Sequence, residues 1–206
     1  MKKQLEEQKV EKKKISLLSK LFFGVLFFGI LILSYLYFFP QNSEFNYLEH
    51  YKKGVKYSKN QNYQLALDEF SICVDADSEN DSVLFQRGLC LLKLEQYNKS
   101  INDFSKAIVL NPSIAKYYTK RADVLCQLAN YKDAVKDYAK AIVLKPDAVY
   151  NFNARGVCYQ YLNNYKKSIP DFTKAISIEP KSFSFLKRGI GYFKLVANNE
   201  TRINYN

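Results

Sequence analysis

The side chains that most often carry thiol or soft-metal chemistry are few in this chain: Cys73, Cys90, Cys126 and Cys158, and a single histidine, His50. A zinc site needs cysteines and histidines at short, regular spacings. None of the four forms a Cys-x-x-Cys pair. They read as small apolar packing residues, and although their number is even, no spacing among them demands a disulfide. His50 has no identifiable nucleophile beside it, so it reads as a surface or packing histidine. The chain also lacks GxSxG, a P-loop and HExxH. The expectation is a protein that is not an enzyme, with no cofactor and no metal.

Charge sets the next bound. The formal net charge is +11. Residues 1–20 hold seven Lys against three Glu, which leaves 31−7=24 basic and 20−3=17 acidic residues in the rest. Such an excess favours acidic partners or anionic surfaces. A nucleic-acid interface would need the lysines gathered on one face. Here they are spread through both helical patterns of the chain, as on a solvated lysine-rich surface, and no nucleic-acid partner is expected.

One segment stands apart. From Leu21 to Phe39 the chain runs for 19 residues without a charge, and 14 of these are Leu, Ile, Phe or Val. As a helix it would span roughly 28 Å, close to the hydrocarbon thickness of a bilayer. It is too long for a signal-peptide core, and no small-residue cleavage site follows it. The expectation is an uncleaved transmembrane helix in contact with lipid, preceded by a basic tail at 1–20 and followed by a short linker at 40–46. Lysines before the span place the N-terminus in the cytoplasm and the remainder on the extracytoplasmic or lumenal side. The alternative orientation leaves the remainder facing the cytosol. Asn80, Asn98 and Asn199 begin sequons.

The elements that must position any site announce themselves by repetition. KAIVLNPS (106–113), KAIVLKPD (140–147) and KAISIEPK (174–181) recur, and Pro112, Pro146 and Pro180 are spaced by 34 residues. A fixed period of this size marks a stacked array. Each unit holds two apolar patterns at helical spacing, separated by polar, turn-prone residues. In one unit Leu84, Gly88, Leu91 and Leu92 share a face, and Ile101, Phe104 and Ile108 share another. Gly54, Gly88, Ala122 and Gly156 recur in the first helix, and Ala66, Ser100, Ala134 and Ser168 in the second. These small residues predict close helix approach. Phe70, Phe104, Tyr138 and Phe172 fill the enclosed space, and the prolines end the second helices. Pro170 lies inside a predicted helix, where proline costs about 3 kcal/mol. The sequence reading is a local kink, with Ser168 capping a restarted helix.

By its period, paired helices, small and aromatic positions and closing prolines, the chain resembles the tetratricopeptide repeat family. The resemblance implies an all-α helical-hairpin solenoid. It would hold a degenerate repeat at 47–80, repeats at 81–114, 115–148 and 149–181, and a partial repeat or capping helix with a polar tail at 182–206. It also implies a protein-interaction scaffold whose first helices line a concave groove for a peptide or partner protein. By matching place, the first repeats would contribute Tyr51, Val55, Phe85, Leu89 and Lys93. The third would contribute Lys116, Thr119, Lys120, Asp123 and Gln127, and the fourth Tyr150, Asn153, Gln160 and Tyr161. Lys116 and Lys120 also occupy basic places of the clamp with which some members grip acidic C-terminal peptides of chaperones, but Tyr51, Val55 and Gln86 depart from it. That adaptor role and a basic surface for nucleic acid are the alternative functions. The last segment, 183–196, has apolar residues all round, which predicts an exposed patch for self-association or subunit docking.

Overall fold

The computed structural model describes residues 42–204, with side chains from 47 to 197, and Gly29 by itself ahead of them. The basic tail and, that glycine apart, the apolar span at 21–39 lie outside the described residues. Among the described residues no helix is long and apolar enough to cross a membrane.

Nine helices follow one another among the described residues: α1 Asn42–Lys59, α2 Tyr63–Ala76, α3 Asp81–Lys93, α4 Tyr97–Leu110, α5 Ala115–Gln127, α6 Tyr131–Leu144, α7 Val149–Tyr161, α8 Tyr165–Ile178 and α9 Ser182–Asn204. They form four hairpins and a ninth helix. From α2 onward each helix packs on the next, and the first helices of neighbouring hairpins touch at α3–α5 and α7–α9. The chain therefore builds a helical-hairpin solenoid. α1 starts at Asn42, inside the segment expected to be linker.

Every hairpin turns in the same way. Gln61, Glu95, Ala129 and Asn163 adopt positive φ, between 55° and 62°. The amide after each reaches back to the first helix: Asn62 to Tyr57 O, Gln96 to Leu91 O, Asn130 to Leu125 O and Asn164 to Tyr159 O, at 2.8–2.9 Å. The left-handed residue itself donates three residues back, as Ala129 does to Cys126 O at 3.0 Å. This is the Schellman arrangement, which usually places glycine at the left-handed position. None of these four positions is glycine.

The second helices stop two residues before the prolines. Asn111, Lys145 and Glu179 leave the helical region at the C-caps of α4, α6 and α8. A residue before proline is excluded from the helical region by the proline ring. α2 ends at the matching place without a proline, with Asp77 extended and donating to Cys73 O.

The small and aromatic positions interlock as expected. Ala66, Ser100, Ala134, Ser168, Phe70, Phe104 and Phe172 are fully buried, and Tyr138 nearly so. A Cβ on Gly54, Gly88 or Gly156 would lie 2.8, 2.6 and 2.9 Å from the ring of Phe70, Phe104 and Phe172. These glycines let each aromatic ring lie flat against the first helix.

A second periodic device joins the helices of a hairpin. Arg87, Arg121 and Arg155 fork onto Asp103, Asp137 and Asp171 with two hydrogen bonds each, at 2.6–2.9 Å. The Asp residues are buried. Such bidentate pairs fix geometry as well as charge. Removing one partner of a buried pair typically costs about 3–5 kcal/mol. In the first hairpin Glu69 pairs instead with His50, which gives that histidine a structural role.

Contacts between hairpins differ from one junction to the next. Tyr117 packs tilted against Phe85 at 4.9 Å between ring centres, and its hydroxyl donates to Asp81. At the next junction Thr119 donates to Asn151 at 2.9 Å. At the last, Ser184 donates to Asn153 at 2.8 Å. Tyr117, Asn151 and Ser184 are each at most 3% exposed. Among the described residues no buried side-chain nitrogen or oxygen lacks a partner.

Two expectations are corrected. α8 runs unbroken through Pro170, and Ser168 caps nothing: its hydroxyl donates to Tyr165 O at 2.9 Å. The cap is Asn164, which accepts from the Lys167 amide. Pro170 and Lys166 are exposed, so water can serve the carbonyl that proline deprives of its donor. The segment after Val196, expected to be a polar tail, continues as α9 to Asn204. ANNETRIN holds no Gly or Pro to end a helix.

Candidate functional site

The clearest concavity among the described residues lies between α5 and α7, a cavity of 690 Å³. Its walls are aromatic: Tyr131 and Tyr138 from α6, Tyr150 and Tyr161 from α7, and Phe183 from the start of α9. Gln127 and Asn153 contribute amides, and Lys181 an ammonium group. Tyr131 and Tyr161 stack face to face, 4.6 Å between centres and 6° between planes. Tyr131 begins α6, held in place by the left-handed turn at Ala129.

Asp123 organises the edge of this cavity. Its carboxylate accepts from Tyr138 Oη and Tyr150 Oη at 2.8 Å each, and from Lys120 Nζ at 2.8 Å. Burial, followed by the Asp123 charge, pushes both tyrosines' pKa values up. They therefore stay neutral donors at ordinary pH, and the carboxylate is already satisfied by three groups. Tyr138 also approaches Cys126, at 3.8 Å.

Cys126 and Cys158 meet in the same cavity, with sulfurs 3.1 Å apart and both thiols free. A hydrogen bond from Cys158 draws the Cys126 thiol pKa down, while that bond and burial push Cys158 up. Cys73 and Cys90 are buried packing residues, as expected of all four. Burial lifts the Cys90 thiol to about 11. The half-buried Cys126 is the one cysteine on a cavity wall with a lowered thiol pKa.

Of the residues assigned to a groove from the sequence, Asp123, Gln127, Tyr150, Asn153 and Tyr161 gather around this cavity. Lys120 joins them through Asp123. Thr119 is spent on the Asn151 contact. Gln160 turns away and donates to Lys187 O at 2.7 Å, tying α7 to α9. Lys116 holds its ammonium over the Phe85 and Tyr117 rings, at 4.9 and 5.5 Å. Neither lysine of the supposed clamp is unengaged. Phe85 is only 6% exposed and belongs to the core. Its equivalent Tyr51 packs edge-on to Phe70. Leu89 and Val55 are half-buried against the same core. Lys93 is exposed, one hairpin away from the cavity.

Sequence reasoning missed Tyr131, Tyr138, Cys126, Cys158, Lys181 and Phe183 as cavity residues. Tyr63, Tyr97, Tyr131 and Tyr165 recur at the 34-residue period, a signal that was available. Cys126 and Cys158 are 158−126=32 residues apart, off the period, so no pattern joined them.

Three family matches fall on consecutive hairpins. A tetratricopeptide repeat model matches residues 82–114 and 151–182, and a second such model matches 115–147. No curated protein sequence matches the chain significantly. Among solved structures, the crystal structure of MamA is similar over 78% of this chain and 88% of its own, with 19% identity and a TM-score of 0.71. YrrB, described as a TPR protein with an unusual peptide-binding site, is 26% identical over 66% of this chain and 71% of its own, with a TM-score of 0.62. The Arabidopsis OM64 TPR domain is 29% identical over 55% of this chain and 95% of its own, with a TM-score of 0.52. Period, hairpin geometry and these matches agree, and residues 82–182 are tetratricopeptide repeats.

Proposed function

We propose that the repeats form a membrane-anchored scaffold that holds a peptide, or an extended segment of a partner protein, in the groove between α5 and α7. The observation that carries this reading is the open cavity walled by four tyrosines and Phe183, with the amides of Gln127 and Asn153 beside them. Tyrosine walls give large contact area at low entropic cost. The Gln127 amide and the NH2 group of Asn153, whose oxygen is held by Ser184, suit an extended peptide backbone, and the rings suit an apolar or aromatic anchor side chain. Asp123 is already satisfied by Tyr138, Tyr150 and Lys120, so it serves to hold the wall rather than to meet a cationic ligand. The likeness to YrrB, described as having a peptide-binding site, supports peptide as the ligand class. Selection from a displayed random-peptide library on the full chain in detergent tests it. Enriched peptides should share an aromatic or aliphatic anchor, and Tyr161→Ala with Asn153→Ala should weaken them at least tenfold. Peptides indifferent to both changes would sink the groove as the site.

The anchor is the apolar run Leu21–Phe39, with the N-terminus cytoplasmic and the repeats beyond the membrane. The uncharged length and the lysines ahead of it support this. The chain should resist carbonate extraction, and protease added to sealed vesicles should spare 42–206. Release by carbonate removes the anchor from the proposal, and digestion of the repeats in sealed vesicles reverses the orientation.

A further inference from the structure

α9 begins as a first helix begins. Arg188 and Gly189 stand where Arg155 and Gly156 stand in α7, counted from the buried inter-hairpin residues Ser184 and Asn151. The side of α9 turned to the fourth hairpin is covered: Ser184 is 0% exposed, and a Cβ on Gly191 would meet Ile169 at 3.1 Å. The other side is bare. Phe185 is 46% exposed, whereas its equivalents Leu84, Tyr118 and Phe152 are 0, 7 and 7% exposed. Tyr192, equivalent to the buried Leu91, is 54% exposed. A Cβ on Gly189 meets nothing within 4 Å, whereas those on Gly54, Gly88 and Gly156 collide with an aromatic ring. Arg188 rests over the Phe185 ring at 5.6 Å, and among the described residues no carboxylate pairs with it.

We propose that this bare side of α9 is a docking face for an amphipathic helix of a partner protein that carries an acidic residue followed directly by Phe or Tyr, seated as the second helix of a fifth hairpin. The chain displays the required fit three times over. Asp103-Phe104, Asp137-Tyr138 and Asp171-Phe172 each place the carboxylate on the Arg fork and the ring on the facing Gly or Ala of the first helix. The cation at Arg188 and the open face at Gly189 are complementary to that pair. Among the described side chains, the chain's own acidic-aromatic pairs, Glu69-Phe70 included, have their rings at most 2% exposed inside their hairpins and are not free to dock on a second copy.

The probe is a peptide with the α4 sequence, YNKSINDFSKAIVL, held helical by a side-chain lactam, because a helix this short is marginal alone in water. Fluorescence anisotropy with the full chain in detergent should show saturable binding. Replacing the peptide's Asp with Asn and its Phe with Ala should abolish it. Arg188→Glu and Gly189→Leu should each weaken it at least tenfold while helix content by circular dichroism is unchanged. A peptide with Lys in place of its Asp should bind the Arg188→Glu chain better than the original peptide does. Tyr161→Ala should leave binding intact, which separates this face from the groove. Absence of saturable binding, or binding that ignores both α9 changes, overturns the proposal. So does a dimer of the chain that Gly189→Leu dissociates, because a second copy would then be the occupant.

Discussion

Replacing Ala129 with glycine should stabilise this protein, against the usual expectation for a helical chain. Ala129 turns the third hairpin at φ 55°, a conformation that costs an L-residue about 1–2 kcal/mol because Cβ crowds the following carbonyl. Its side chain is exposed, so its loss uncovers no core. Glycine adds unfolded-state entropy worth about 0.5–1 kcal/mol. The difference is a net gain of roughly 0.5–1 kcal/mol. Glu95 and Gln61 are equally left-handed and exposed, and the three sites share no partners, so their effects should add to about 2 kcal/mol. In a domain of this size that is a rise of roughly 4–8 °C in Tm. Asn163→Gly should change little, since Asn visits this region readily. Thermal unfolding by circular dichroism of a fragment from residue 42 reads all four. A drop in Tm for Ala129→Gly of the size of the helix-interior glycine penalty, about 1 kcal/mol, would mean that residue 129 is not the left-handed turn and that the hairpin register is wrong.

Phe104→Ala empties a fully buried ring site against Gly88 and should cost about 3–5 kcal/mol, measured by urea unfolding. Iodoacetamide at mildly alkaline pH should label Cys126 before the other three, since its thiol pKa is drawn down while Cys90 and Cys158 are pushed up. Cys158→Ala removes the donor and should slow that labelling, as followed by mass spectrometry of digests. Tyr117, Tyr138, Tyr150 and Cys90 all have pKa values raised by folding. Their contribution to stability is complete below the unfolded-state values near 9 for thiol and 10 for phenol, and is lost as pH rises above these. An alkaline titration should therefore show these tyrosines ionising together with unfolding rather than ahead of it.

The fold was legible because its determinants are local and repeated. The 34-residue proline interval and the Gly–Phe places each name a helix end or a contact within one hairpin. The Arg-Gly and Asp-Phe pairs, 16 residues apart as 103−87, were equally periodic and were overlooked as ion pairs. The groove was legible only in part. Which first-helix residues face inward depends on how one hairpin leans on the next, and Phe85 was lost to the core because Tyr117 and Lys116 close over it. The meeting of Cys126 with Cys158 depends on that lean too, as does the cavity they line. Pro170 misled because the cost of proline depends on whether water can reach the orphaned carbonyl, and here Lys166 and Pro170 are both exposed.

The inter-hairpin contacts have a consequence for the order of the units. Phe85 meets Tyr117, Thr119 meets Asn151, and Asn153 meets Ser184. Although the backbones are interchangeable, each surface is written for its own neighbour. Excising residues 115–148 would join the flanking hairpins in phase, yet it would set the Asn151 amide against the Phe85 ring with no Thr119 hydroxyl to donate to its oxygen. A buried amide left unpaired costs roughly 1–3 kcal/mol. The buried junctions thus act as an address, so that the array can be lengthened, shortened or shuffled only where the chemistry on both sides of the cut is the same.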